Sequence, residues 1–87
     1  MRRRSKVDLN QAEIVKALRE RGYSVAHTHM VGEDFPDIVV GNDKTNWLVE
    51  IKSKGGELTE GQKEFINEWK GTVIVAYCIE DILRVTA

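Results

Sequence analysis

Asp37, Glu50 and Lys52 have the residue types and the spacing to work on a phosphodiester. Glu50 and Lys52 stand two apart in a run of strand-forming residues, and residues two apart in a strand share a face. Asp37 follows Pro36 and precedes Glu50 by 13 residues, one hairpin's length. Antiparallel pairing can therefore lay Asp37 across from Glu50. Two carboxylates converging beside a lysine suit hydrolysis assisted by Mg²⁺ or Mn²⁺. Magnesium takes hard oxygen ligands, typically one or two carboxylates, and keeps waters around it. The backbone carbonyl of Ile51 offers a further oxygen. The cation would polarise the phosphate and draw the nucleophile from a water. Lys52 would orient that water and offset charge on the transition state. The plainer alternative is a solvated strand face, because Glu-x-Lys is a common pattern. The flanks Ile38-Val39-Val40 and Trp47-Leu48-Val49 are apolar, and charges beside a core are costly, which favours a role in chemistry.

These residues need a hairpin and something to cover it. Asp8 can cap a first helix whose third residue is Gln11, a capping-box arrangement. Ile14, Val15 and Leu18 form its apolar stripe, and Gly22 stops it in the C′ position. Tyr23 to Thr28 reads as a strand, Met30 to Phe35 as a loop, and Asp37 to Val40 as a strand opened by Pro36. Gly41-Asn42-Asp43-Lys44 is a turn leading into the strand Asn46 to Lys52. Gly55-Gly56 breaks the chain. Thr59 opens a second helix that carries Phe65, Ile66 and Trp69 on one face and ends at Gly71. Thr72 to Tyr77 is a continuous apolar run, the pattern of a central buried strand. Ile79 to Val85 is a short terminal helix with Glu80 and Asp81 in its first turn. The order α-β-β-β-α-β-α predicts an α/β domain with a mixed sheet flanked by helices.

Composition bounds the rest. The chain has 87 residues, 13 Lys+Arg and 14 Asp+Glu, for a net charge of -1. That is room for one domain, with a small core that a partner subunit would help to stabilise. The only cysteine, Cys78, rules out an internal disulfide and is expected to be a small buried hydrophobe. No apolar run approaches the roughly 20 residues of a membrane helix. The basic N-terminus is followed by no apolar signal region, so the reducing cytoplasm is the expected compartment and no membrane partner is implied. Residues 1–7 read as a basic arm and 8–87 as the domain. Outside Arg2, Arg3, Arg4 and Lys6 the balance is acidic, nine basic residues against 14, which does not advertise a nucleic-acid partner.

Pro36-Asp37 followed by Glu50-Ile51-Lys52, in an α-β-β-β-α-β order, resembles the PD-(D/E)XK nuclease superfamily. Gly55-Gly56-Glu57-Leu58-Thr59-Glu60-Gly61-Gln62 is similar to the Gly-x-Leu-Ser/Thr-x-x-Gln element of the virus-type replication-repair (VRR-NUC) nucleases, many of them small phage proteins. The first helix and the next strand also resemble archaeal Holliday junction resolvases. The likeness spans about Asp8 to Tyr77. It implies a restriction-endonuclease-like core and metal-dependent DNA hydrolysis. In the virus-type members it also implies a homodimer that cuts branched or four-way DNA, and for a phage protein the compartment would be the bacterial host's cytoplasm. Alternatives are a flap- or end-trimming nuclease, or a non-catalytic DNA-binding or assembly module that retains the fold.

The superfamily usually places a glutamate on the first helix, facing the metal. Here Gln11, seven residues before Leu18, shares the apolar face, and Glu13 lies opposite. Gln11 is thus the contributor that helix geometry selects, with Glu13 the alternative by residue type and reciprocal capping with Asp8 the structural reading. Asp34 is either a further acid near the metal or a loop residue. Gln62 completes a capping box with Thr59, and the resemblance adds a catalytic role. The start of its helix faces the end of the Glu50-Lys52 strand and could steer a phosphate. Arg2, Arg3, Arg4, Lys6, Lys54 and Lys63 are candidate DNA contacts. His27 and His29 share a strand face but lack the further ligand a zinc site needs, so contact with DNA or no role is expected. Trp47 and Trp69 read as core or interface residues, and Tyr23 as either.

Overall fold

The structure, a computed structural model, describes residues 5–87, with side chains from Asn10 onward. Three helices and four strands follow in the order α1 (Ser5–Glu20), β1 (Ser24–His27), β2 (Ile38–Gly41), β3 (Asn46–Ile51), α2 (Glu60–Glu68), β4 (Val73–Ala76) and α3 (Ile79–Thr86). The strands form one mixed sheet in the order β1-β2-β3-β4. The first three pair antiparallel, and β4 runs parallel to β3. This is an α/β architecture, as the sequence predicts.

Alternation along the strands sorts their side chains between two faces. On one face Ile38 and Val40 of β2, Val49 and Ile51 of β3, and Ile74 and Ala76 of β4 meet Ile14, Val15 and Leu18 of α1 and Ile82 of α3 in a continuous buried core. Trp47 and Tyr23 pack at its margin, and the Tyr23 hydroxyl meets Thr86 Oγ1 at 2.8 Å. The other face is thinner. It carries Val39, Leu48 and Glu50, and α2 buries none of its own residues fully. Phe65 stacks on Trp69 with ring centres 5.2 Å apart, and Phe35 meets both edge-on.

Local chemistry sets the element ends. Gly22, at φ 91°, closes α1 through Gly22 N–H to Arg19 O and Tyr23 N–H to Leu18 O, the paired bonds of a Schellman motif. Thr59 caps α2 reciprocally with Gln62. Asn42 Oδ1 accepts from the backbone of Lys44 and Thr45 in the β2–β3 turn.

Several expectations are corrected. Helix α1 starts at Ser5, so Asp8 lies inside it and is not its cap. Arg2, Arg3 and Arg4 lie outside the described residues, as does the Lys6 side chain. Helix α2 ends at Glu68, before Gly71, and Trp69 sits past it in extended backbone. Met30 and Val31 lie in a 3-10 turn, His29–Val31. Cys78 is exposed, because β4 ends at Ala76 and the chain turns out into α3. The largest correction concerns β4. It lies at the edge of the sheet, not at its centre, because the residues after it form α3. Its apolar run reflects two covered faces: Ile74 and Ala76 are buried, and Val73 and Val75 are half-buried.

Leu18 has no exposed surface and sits between α1 and the sheet. Leu18→Ala is expected to lower unfolding free energy by about 3 kcal/mol, read from urea denaturation of the two proteins.

Candidate active site

The register of β2 against β3 assembles the site. Ile38 faces Val49 and Val40 faces Trp47. Continued two residues outward, that register sets Asp37 opposite Glu50 and Pro36 opposite Ile51. Asp37, Glu50 and Lys52 then share the α2 side of the sheet, as strand alternation requires. Glu50 is buried, and Asp37 and Lys52 are half-buried. The expected juxtaposition of the two carboxylates with the lysine is present.

Each group is held by a named contact. Asp37 Oδ2 accepts from Ile51 N–H at 2.8 Å, where a regular ladder would offer a carbonyl. Thr28 fixes the backbone beneath it: its N–H donates to Asp37 O at 2.9 Å and its hydroxyl to Pro36 O at 2.8 Å. Glu50 Oε2 lies 3.7 Å from Lys52 Nζ and accepts from Gln62 Nε2 at 3.1 Å. The same Gln62 amide accepts from Thr59 N–H at 2.9 Å. Gln62 is therefore both helix cap and site residue. One of its ends is anchored to backbone and the other aimed at the buried carboxylate.

Burial and the neighbouring Asp37 carboxylate push Glu50 up to about 7, and Lys52 offsets them only in part. A divalent cation would relieve both effects, since it would neutralise the two carboxylates together. The donor set fits such an ion. Among the described residues, the backbone and amide donors reach Asp37 Oδ2 and Glu50 Oε2, and the two carboxyl groups otherwise face each other. The Ile51 carbonyl faces Pro36, which has no N–H to give it. These are the hard oxygens a Mg²⁺ or Mn²⁺ ion prefers. Among the described residues no three His, Cys, Asp or Glu side chains are placed to hold a metal, so the protein's share would be two carboxylates and one carbonyl.

Other candidates lie elsewhere. Gln11 does turn toward the sheet, and Glu13 is exposed. Gln11 Nε2, however, lies 3.1 Å from His27 Nδ1 at the β1 edge, on the α1 side and away from the carboxylates. His29 lies beyond β1 in the 3-10 turn. The Asp34 carboxylate packs against Gly61 in the first turn of α2, in space a β-carbon there would fill. It occupies the helix start that could have steered a phosphate. Lys54 and Lys63 are exposed near the site, and Lys63 is 3.5 Å from Glu60.

Asn10 and Thr28 brace the backbone of the candidate site, and motif reasoning does not select them. Asn10 Nδ2 donates to Lys52 O at 3.1 Å, tying α1 to the end of β3. Its signal was its position four residues before Ile14, on the same helical face.

A scan of the chain against protein-family models gives no match, and a search of curated proteins finds no similar sequence.

The direction of the Glu50 shift fixes its effect on stability. A carboxyl raised in the folded chain adds stability that is full below its ordinary value of 4.5 and is lost as pH rises through about 7. Between pH 5 and 8, without divalent cations, the protein is expected to lose stability relative to Glu50→Gln, by on the order of 3 kcal/mol at most. Paired urea melts across that range check it. Parallel pH profiles for the two proteins would refute it.

Proposed function

We propose that this chain is a Mg²⁺- or Mn²⁺-dependent DNA endonuclease, specific for branched or four-way DNA and acting as a homodimer, built on a restriction-endonuclease-like core. The reading rests on one observation. Asp37 and Glu50 face each other across a hairpin, and Lys52 and Gln62 converge on the same Glu50 oxygen. The resemblance of Pro36-Asp37, Glu50-Ile51-Lys52 and the Thr59–Gln62 element to PD-(D/E)XK and VRR-NUC nucleases supplies the substrate class.

Asp37, Glu50 and the Ile51 carbonyl would hold the cation, which when bound polarises the phosphate and activates water. The chain's own residues do the positioning. Ile51 N–H fixes one Asp37 oxygen and leaves the other outward. Gln62 fixes Glu50 from the α2 side and costs little to hold there, because Thr59 already anchors its amide. Lys52 brings a positive charge to half-buried surroundings, where it offsets charge developing on the phosphate more strongly than it could in bulk water. Lys54 and Lys63, with Arg2, Arg3, Arg4 and Lys6 of the N-terminal segment, would contact the DNA backbone.

One observation favours a second reading, a DNA-binding or assembly module without catalysis. Among the described side chains, helix α1 turns no acid toward the pair: Glu13 and Glu20 are exposed, and Gln11 is engaged by His27.

Incubation with Mg²⁺ and a panel of duplex, flap and four-way DNAs separates these readings. Cleavage of branched DNA that is blocked by chelator, and abolished by Asp37→Ala or Lys52→Ala with folding intact, is expected. Cleavage of flaps or ends alone would shift the substrate class. Tight binding with no cleavage of any substrate would favour the binding module. Replacing Lys54 or Lys63 by alanine should weaken binding to all DNAs alike and lower the salt slope by about 1 for each lysine, read from binding titrations at several salt concentrations.

A further inference from the structure

The two edges of the sheet differ. On β1 the outward backbone belongs to Val25 and His27, and Arg19 Nη2 reaches over to bond Val25 O at 3.0 Å. A long cation laid on an edge carbonyl obstructs pairing with another strand. On β4 the ladder bonds Leu48 N–H to Thr72 O and Lys52 N–H to Ala76 O turn the even-numbered residues toward β3. The N–H and C=O groups of Val73 and Val75 therefore point outward. Among the described residues no side chain bonds them. The next outward N–H, that of Tyr77, is taken by Asp81 Oδ2 at 2.8 Å, which ends the open stretch.

Exposed hydrophobic residues stand on the segments next to β4, with Trp69 stacked on Phe65 and the Tyr77 hydroxyl donating to Gly56 O at 2.8 Å. Trp69 and Tyr77 lie before and after β4 in the chain, 43% and 42% exposed, and Val85 of α3, which packs against β4, is 48% exposed. They are three of the five large exposed hydrophobic residues among those described. Val73-Ile74-Val75-Ala76 has the composition of a central strand, yet it stands at an edge with no charge, proline or bulge to protect it.

We infer that this edge is where a second copy of the chain docks, β4 pairing antiparallel with β4 about a two-fold axis at Ile74. The exposed pattern is its own complement. Val73 of one copy meets Val75 of the other, Val75 meets Val73, and the four outward groups of each strand are satisfied. Such self-matching is what an isologous contact requires, and it favours a second copy over an unrelated strand. The domain's small size gives the pairing a thermodynamic purpose. Antiparallel neighbours in one sheet are related by an axis perpendicular to it, so both α2 faces lie on the same side of an eight-stranded sheet. Both carboxylate sites then open on one surface, with the two β3 strands three strand spacings apart, about 14 Å. The inference specifies the interface of the proposed homodimer, but its geometry does not rest on catalysis.

The test reads assembly and not activity. Sedimentation of the full chain from micromolar to near-millimolar concentration is expected to show a monomer–dimer equilibrium. Amide exchange at Val73 and Val75 should slow at least about tenfold across that range, while the Ser24–His27 amides do not change. Val75→Pro removes an outward N–H that β3 does not use and should leave a folded monomer. If that variant does not fold, the exchange measurement on the unaltered chain decides. A chain that stays monomeric throughout, or a dimer in which Val73 and Val75 exchange as fast as in the monomer, overturns the inference. Loss of DNA cleavage in an intact β4-paired dimer would count against the nuclease reading alone.

Discussion

The carboxylate site depends on the register of β2 against β3. A slip of one residue would send Asp37 or Glu50 to the opposite face and into the core. Two features pin the pairing. Ile38, Val40, Val49 and Ile51 must all enter the core beneath α1 and α3, so any odd slip would bury charge and expose apolar side chains. Asn42 fixes the length of the connecting turn. Given that register, Pro36 falls opposite Ile51, and the ladder fails beside the two carboxylates. The Ile51 N–H goes to a side chain, and its carbonyl is left facing a residue that cannot donate. Pro36 thus leaves the Ile51 carbonyl without a donor, while its own carbonyl accepts from the Thr28 hydroxyl and the Ile51 N–H turns to Asp37.

The asymmetry of the sheet complements this. One face carries nearly all of the buried apolar surface. The other is covered by a single nine-residue helix that buries none of its residues fully. Glu50 tolerates burial there because Lys52 and Gln62 offset part of its cost, and a bound cation would offset the repulsion from Asp37. The acidic body that seemed unsuited to a nucleic-acid partner concentrates part of its charge at a place where a cation would reverse the local sign.

At the site and in the sheet order, the sequence and the structure part over which elements become neighbours. Gln11 faces the sheet as helical spacing requires, but spacing cannot tell which strand it meets, and it meets His27. Asn10, one residue away, reaches the Lys52 carbonyl. The apolar run of β4 suggests a central strand, yet β4 stands at an edge with Ile74 and Ala76 buried and Val73 and Val75 half-buried. Its place in the sheet is set by where the chain goes next, and α3 takes the remaining residues out of the plane. Asp34 could have been a third acid. Two consecutive residues in left-handed backbone, Glu33 and Asp34, turn it instead against Gly61, where only a glycine leaves room.

By itself the sequence determined the element order, the α2 capping box, the glycine that ends α1, and the pairing of Asp37 with Glu50 and Lys52 on one strand face. All of these follow from chain-local geometry: strand alternation, helical period, and the conformations open to proline and glycine. Only the tertiary structure decided that Gln62 reaches Glu50 while still capping its helix, that Asn10 rather than Gln11 ties α1 to the site strand, and that β4 stands at an open edge while β1 is guarded by Arg19. Those outcomes depend on which elements become neighbours in space, and that is settled by packing the whole core at once.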